Sequence, residues 1–279
     1  MTRARRLLEW YARHGRADLP WRVVRDPYYT LVSEFMLQQT QVDRVVPRFR
    51  AFVERFPTLD ALAGASAADV LREWKGLGYN SRALRLKRVA ETVVLRHGGR
   101  MPHDTAALLD LPGIGPYTAA AIRAFAFDIG DLPVDTNVRR VGERVGQSLQ
   151  PPRGKAHDWA SALMDLGASI CKARAPKCLL CPLQPDCAWD SRATPATGQS
   201  RAKPRATVPF EKTVRYARGR VIDRLRELPP GKRISLLDLC RDLEPVLPGR
   251  TVDDVGRFVT ALERDGLIAR DGDGVALAD

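Results

Sequence analysis

The chain has 279 residues, 44% of them hydrophobic, which is enough for one large or two modest cores. Forty-five Lys and Arg against 33 Asp and Glu leave a formal charge of +12, a field that draws DNA, RNA or an anionic surface. No stretch approaches the roughly 18 uninterrupted apolar residues of a membrane span, the basic start has no signal-type apolar region, and four of five cysteines crowd between Cys171 and Cys187. That is not the distribution of a secreted disulfide framework, so a soluble cytoplasmic protein is expected, with no membrane partner.

Before residue 190 nearly every periodic stretch is helical, broken by Gly or Pro, and no convincing strand alternation is found. The first informative run is TLVSEFMLQQTQV, Thr30 to Val42. On a helix Glu34 shares a face with Leu31, Leu37, Gln38 and Gln41, so partial burial is expected. Burial raises a carboxyl pKa and can keep the proton a general acid needs; taken locally, an edge-of-core glutamate is the favoured reading. Helices follow at Asp69–Trp74 and Ala83–Leu95, with GLGY (Gly76 to Tyr79) as the turn between them.

LPGIGPYTA, Leu111 to Ala119, places Gly113 and Gly115 between a Pro-started turn and a helix over Tyr117–Phe127. Such backbone can aim N–H groups at a phosphate, or it can simply turn one helix into the next. PVDTNVRRV, Pro133 to Val141, puts Asp135 immediately before a helix, where it caps the N-terminus. A carboxylate there is also placed to face developing positive charge.

The cysteines Cys171, Cys178, Cys181 and Cys187 are spaced C-x6-C-x2-C-x5-C. Four thiolates in so short a loop can surround one soft metal centre, an iron–sulfur cluster or zinc; spacing alone leaves both open. The stretch 191–210 is polar, Pro-punctuated and basic, and is expected to be a linker. Helices at Val214–Leu228, Leu236–Leu243 and Val252–Asp265, then a hairpin turned at Asp271–Gly274, predict a winged-helix-like module over 211–279. Cys240 is expected to be buried on a helix face with Leu236, Leu237 and Leu243.

The order of these motifs, with DLPWR (Asp18 to Arg22) before them and MDLGASIC (Met164 to Cys171) behind, resembles the helix-hairpin-helix DNA glycosylases of the endonuclease III superfamily. Within it, the chain looks most like the MutY adenine DNA glycosylases, in a short form lacking their Nudix-like C-terminal domain. The resemblance implies an all-α, two-lobed core over 1–190, with a hairpin lobe of about 22–130 and an iron–sulfur lobe of 1–21 with 131–190. It implies a 4Fe-4S cluster on the four cysteines and double-stranded DNA, mismatched or oxidised, as the partner of a nucleoid-associated monomer.

Position by position, the resemblance implies that Glu34 protonates the leaving adenine and that Asp135 stabilises or captures the sugar cation. Tyr117 and Asn137 would orient them, and Trp21, Arg22, Leu37, Val42 and Ser161 would line the base pocket. Gln38, Gln39 and Tyr79 would fill the gap left by the flipped base, and Gly113 and Gly115 would grip the backbone. Tyr117 stands where strand-cutting relatives carry a Schiff-base lysine, so a monofunctional enzyme is expected. Three features depart from the pattern. Only about 70 residues follow the linker, with a net charge of −3 from residue 221 onward; Ser161 replaces a Glu or Gln that contacts adenine; and the segment QSLQPPRGK is short. A mismatch-specific thymine or uracil glycosylase and an inactive DNA-binding iron–sulfur scaffold are therefore carried as alternatives, and the tail is open to DNA or to a protein.

Overall fold

The computed structural model describes residues 1–189 and 208–279. Fourteen α-helices are found among them: α1 (Arg3–His14), α2 (Pro20–Val23), α3 (Pro27–Leu37), α4 (Val42–Arg55), α5 (Leu59–Gly64), α6 (Ala67–Glu73), α7 (Ser81–His97), α8 (Thr105–Leu109), α9 (Pro116–Phe127), α10 (Thr136–Val145), α11 (Ala156–Ser169), α12 (Val214–Arg226), α13 (Leu236–Leu243) and α14 (Val252–Arg264). No strand occurs among residues 1–189, in keeping with the helical periodicity. No helix of the described residues is long and apolar enough to cross a membrane.

The chain groups into two units, the first built from Met1–Glu34 with the described residues of Arg100–Lys203, the second from Phe35–Gly99 with those of Pro204–Asp279. These limits differ from the expected lobe boundaries near 22 and 130. The helical hairpin α8–α9 falls in the first unit, and the tail module falls in the second. Most of the expected linker lies outside the described residues.

In the first unit α1 packs on α11, and α11 on α9 and α10. Leu7, Tyr11, Val138, Val141, Trp159, Leu163 and Leu166 form its core. These residues recur at helical spacing, so each helix turns one apolar stripe inward. Asp135 caps α10 and Thr2 caps α1 through side-chain oxygens, which satisfies N–H groups that have no partner inside the helix. In the hairpin, Gly113 sits at φ +85°, where a Cβ would be strained. Gly115 then caps α9 without a side chain and Pro116 occupies its first turn, a start that needs no donor at that position.

In the second unit α5 packs on α7, and the tail forms the winged-helix arrangement. β1 (Ile234–Ser235), β2 (Ile268–Asp271) and β3 (Gly274–Leu277) make an antiparallel sheet in the order β1-β3-β2, with Asp271 paired to Gly274 across the hairpin. The hairpin matches the expected turn, while β1 is new, because two residues show no alternation to read. Helix α13 keeps its expected bounds but not its expected face: Leu239 and Leu243 are buried, Cys240 is only half-buried, and Leu237 is 56% exposed. The buried pair, four residues apart, is the stripe that meets α12 and α14.

Candidate active site

The first unit gathers two carboxylates, a phenol and an arginine around Glu34. Glu34 lies on the inward face of α3 beside Leu31 and is 8% exposed. Burial pushes its carboxyl up to about 7; a hydrogen bond from the Tyr117 hydroxyl opposes the rise, the nearby Asp135 charge adds to it, and Arg22 opposes it again. Tyr117, the second residue of α9, is half-buried. Desolvation and the charges of Glu34 and Asp135 raise its pKa far above the usual phenol value, so its proton is held and donated to Glu34. A half-protonated carboxylic acid near neutral pH is what a general acid requires.

Asp135 is fixed by two donors. Oδ1 accepts from the Val138 backbone N–H at 2.7 Å, and Oδ2 from the Asn137 side-chain amide at 3.0 Å. Asn137 is oriented in turn by Arg140, whose Nη2 donates to Asn137 Oδ1 and to the Gly167 carbonyl, each at 2.7 Å, while its Nε donates to the Cys171 carbonyl at 2.7 Å. Arg140 thereby links the aspartate to the start of the cysteine loop. Gly167 allows the approach: a Cβ there would lie 2.6 Å from the Asn137 Cβ, closer than atoms pack. Its place in the MDLGASIC run has a steric cause.

Arg22, on α2, forks onto Asp165 of α11, with Nη1 2.8 Å from Oδ2 and Nη2 3.2 Å from Oδ1. Arg16 also donates to Asp165 through its backbone N–H at 2.8 Å and its Nε at 2.9 Å. Burial acts to raise the Asp165 pKa, but the hydrogen bonds and charge of Arg22, with Arg16 behind them, prevail and lower it. Trp21 is buried beside Arg22. Ser161, on α11, is fully buried and its Oγ has no hydrogen-bond partner among the described residues, a polar atom that a buried polar group or water would satisfy.

Gly113 and Gly115 lie in the first unit, whereas Leu37, Gln38, Gln39, Val42 and Tyr79 belong to the second. Gln38 and Gln39 are exposed at the end of α3, Val42 opens α4, and Leu37 is half-buried. Gln39 and Tyr79 adopt positive φ, +56° and +46°, uncommon for residues with a Cβ and typical of positions held for function. Arg82, which the sequence did not single out, holds both loops. It is 5% exposed; Nη1 donates to the carbonyls of Phe35, Met36 and Gln38, and Nη2 to those of Leu77 and Gly78 and to Thr40 Oγ1, all at 2.6–3.2 Å. Arg140 and Asp165 were also passed over, although both lie inside quoted motifs and Arg140 stands three residues from Asn137, the spacing of helix neighbours.

Cys171, Cys178, Cys181 and Cys187 are all free and half-buried, in the first unit behind α11. Cys171, Cys181 and Cys187 pack against its core. Burial raises the Cys181 thiol to about 11; the Leu183 backbone N–H counters this, and the other three cysteines act in the raising direction. The four sulfurs therefore share one neighbourhood, although among the described residues no three His, Cys, Asp or Glu side chains meet the spacing of a single-ion site. Arg144 Nη1 lies 3.3 Å from Cys171 Sγ, and its carbonyl accepts from Cys187 Sγ at 3.4 Å.

The chain is similar to proteins of known family over most of its length. A family profile described as HhH-GPD superfamily base excision DNA repair protein matches residues 32–158. An adenine DNA glycosylase of Mycolicibacterium smegmatis is 40% identical over 96% of this chain and 93% of its own length. One from Mycobacterium tuberculosis is 43% identical over 79% and 77%. A thermostable thymine-DNA glycosylase of known structure superposes with a TM-score of 0.61 at 31% identity, over 66% of this chain and 93% of its own. With Glu34, Tyr117 and Asp135 assembled as described and one adenine DNA glycosylase aligned almost end to end, the chain belongs to the HhH-GPD superfamily of base excision DNA repair proteins, among the MutY-type adenine DNA glycosylases.

Proposed function

We propose that the protein hydrolyses the N-glycosidic bond of adenine mispaired with 8-oxoguanine or guanine in duplex DNA, leaving an abasic site. The observation that carries this reading is the pairing of a carboxyl raised to about 7 at Glu34 with a second carboxylate, Asp135, in one buried site. The adenine has to leave the stack to reach it. Glu34 then donates its proton to the base, turning a poor leaving group into a good one. Asp135, braced by Val138 and Asn137, faces the positive charge that grows on the sugar and stabilises it or captures it until water completes hydrolysis. Tyr117 keeps its proton and steadies Glu34; lacking an amine, it forms no Schiff base, so no strand cleavage follows.

The family resemblance assigns Trp21, Arg22, Leu37, Val42 and Ser161 to the base pocket. Gln38, Gln39 and Tyr79 are assigned to the gap in the duplex, and Gly113 and Gly115 to the phosphate backbone. Replacing Asp135 by Asn is expected to lower single-turnover release of adenine at least about a thousandfold while leaving duplex affinity intact. Release at the wild-type rate would refute its role. Cleavage of A:8-oxoG, A:G, T:G and U:G duplexes after alkali tests the substrate. The 31% identity to a thymine-DNA glycosylase together with Ser161 supports T:G as the second reading, and preference for T:G would replace the first.

The four cysteines are assigned to a 4Fe-4S cluster, which supplies a fixed cross-link for the loop behind α11 and no step in base release. Brown protein with broad visible absorption is expected. Colourless protein with stoichiometric zinc would reverse the assignment.

A further inference from the structure

Within the first unit one side chain holds the cysteine loop by a sulfur as well as by its backbone. Arg144, in the last turn of α10, is half-buried. Its Nη1 donates to Cys171 Sγ at 3.3 Å and to the Lys172 carbonyl at 2.8 Å, and its Nη2 donates to the Ala173 carbonyl at 3.2 Å. The ring of Trp189, two residues beyond Cys187, covers the guanidinium, with 4.4 Å from Cζ to the ring centroid. The Arg144 carbonyl lies 3.4 Å from Cys187 Sγ. One residue thus touches the first and the last cysteine of the quartet.

The charge at this point is not cancelled. Asp186, the acid beside Cys187, is paired with Arg6, and no carboxylate among the described residues pairs with Arg144. Lys172, Arg174 and Lys177 of the same loop are exposed, where water and salt weaken their reach. Arg140, one turn earlier on α10, donates to the Cys171 carbonyl and not to its sulfur. Two carbonyl bonds already tie the loop to Arg144. The bond to sulfur is surplus to that duty.

We propose that Arg144 is a positioning residue that sets the reduction potential of the cluster assigned to the four cysteines, an inference that rests on that assignment. As a ligand Cys171 is a thiolate, a stronger acceptor than the thiol, so the bond from Arg144 becomes charge-assisted. An electron gained by the cluster adds negative charge to its sulfurs, and N–H donors and positive charge beside them favour that electron-rich state. Arg144 therefore raises the potential and makes loss of one electron harder, with no proton or atom transferred. Trp189 keeps water from one face of the guanidinium, so its charge acts at a lower dielectric than the loop lysines.

The test uses the full chain, with iron and sulfide content, visible absorption and thermal unfolding recorded for wild type, Arg144→Met and Arg144→Lys. Methionine keeps part of the stem without charge or donor, whereas lysine keeps the charge but cannot serve the sulfur, both carbonyls and the ring at once. The backbone carbonyl beside Cys187 is common to all three, so the comparison isolates the guanidinium. Voltammetry at an electrode reads the midpoint potential of the one-electron couple. Arg144→Met is expected to lower it by about 60 mV, a tenfold change in a one-electron equilibrium, and to lose its visible absorption faster under ferricyanide, which takes the electron and becomes ferrocyanide. Arg144→Lys should move the potential less, in the same direction, and decides the matter if Arg144→Met does not hold its iron. A wild-type potential in variant protein with full iron overturns the proposal, leaving Arg144 a tie for the loop and the cluster in place. Colourless wild-type protein holding zinc overturns the cluster assignment and the proposal with it.

Discussion

Arg22 in the first unit meets a carboxylate, Asp165, whereas the more deeply buried Arg82 in the second meets five carbonyl oxygens and a hydroxyl. The two solutions serve different ends. Arg22 stands near Glu34 and pulls its pKa down, the least of the influences on it, so that burial prevails. An unopposed cation there would hold Glu34 ionised and take away its proton. The titratable group that acts on Arg82 is the Tyr79 phenol and not a carboxyl. The task of Arg82 is to gather the carbonyls at the end of α3 and before α7 around one planar group, and a carboxylate would compete for the same N–H donors.

The largest expected effect is at the carboxyl that the Arg22–Asp165 pair protects. Glu34→Gln should lower single-turnover adenine release by about 10² to 10⁴, the usual contribution of a positioned acid. The same variant should be the more stable one above neutral pH. A carboxyl whose folded pKa lies above its unfolded value favours the fold below the unfolded pKa, and that advantage is lost as pH rises towards the folded pKa. Here the rise from 4.5 to about 7 is worth roughly 3 kcal/mol at full ionisation. Urea unfolding at pH 5 and pH 8 checks it: the gain from glutamine should appear at pH 8 and shrink at pH 5. A gain independent of pH would mean that Glu34 is not the group kept neutral.

Arg82→Ala comes next, as an effect on the second unit. Removing the guanidinium strips donors from Phe35, Met36, Gln38, Leu77 and Gly78 and empties the space against the Trp74 ring, 5.5 Å away. A loss of about 3 to 5 kcal/mol in stability is expected. Lysine should recover only part of it, because a point charge cannot serve both loops at once. Full recovery by lysine would show that charge alone, and not the fork, holds the Gln39 and Tyr79 backbones at positive φ.

Much of the site was readable because it is written in residues with local duties. Gly113 answers a positive φ and Asp135 a helix start, and Glu34 falls on an apolar face. Each duty is settled within one turn of chain, so order and spacing expose it. Arg82 and Asp165 were missed for the opposite reason. Arg82 serves atoms more than forty residues earlier in the chain as well as its own turn, and Asp165 serves Arg16 and Arg22 about 145 residues away. No periodicity marks such a partner in a chain with 45 basic residues. β1 escaped because two residues carry no alternation, and Cys240 was misplaced because α13 turns Leu239 and Leu243 inward instead.

The smallest expected effect is the most direct test of the comparison. Asp165→Asn keeps the shape of the Arg22 partner and deletes its charge. Arg22 then acts on Glu34 unopposed and stabilises its ionised form, so the Glu34 pKa should fall from about 7, by about one unit if the freed guanidinium stays in place. Adenine release depends on the protonated form, so its decline with rising pH should begin about one unit lower, with the acid plateau little changed. A pH profile measured by single turnover at saturating enzyme reads this shift without confusion from weaker binding. An unmoved profile in a folded Asp165→Asn protein would mean that Arg22 is insulated from Glu34 by something other than Asp165. The contrast with Arg82 would then lie in geometry and no longer in charge.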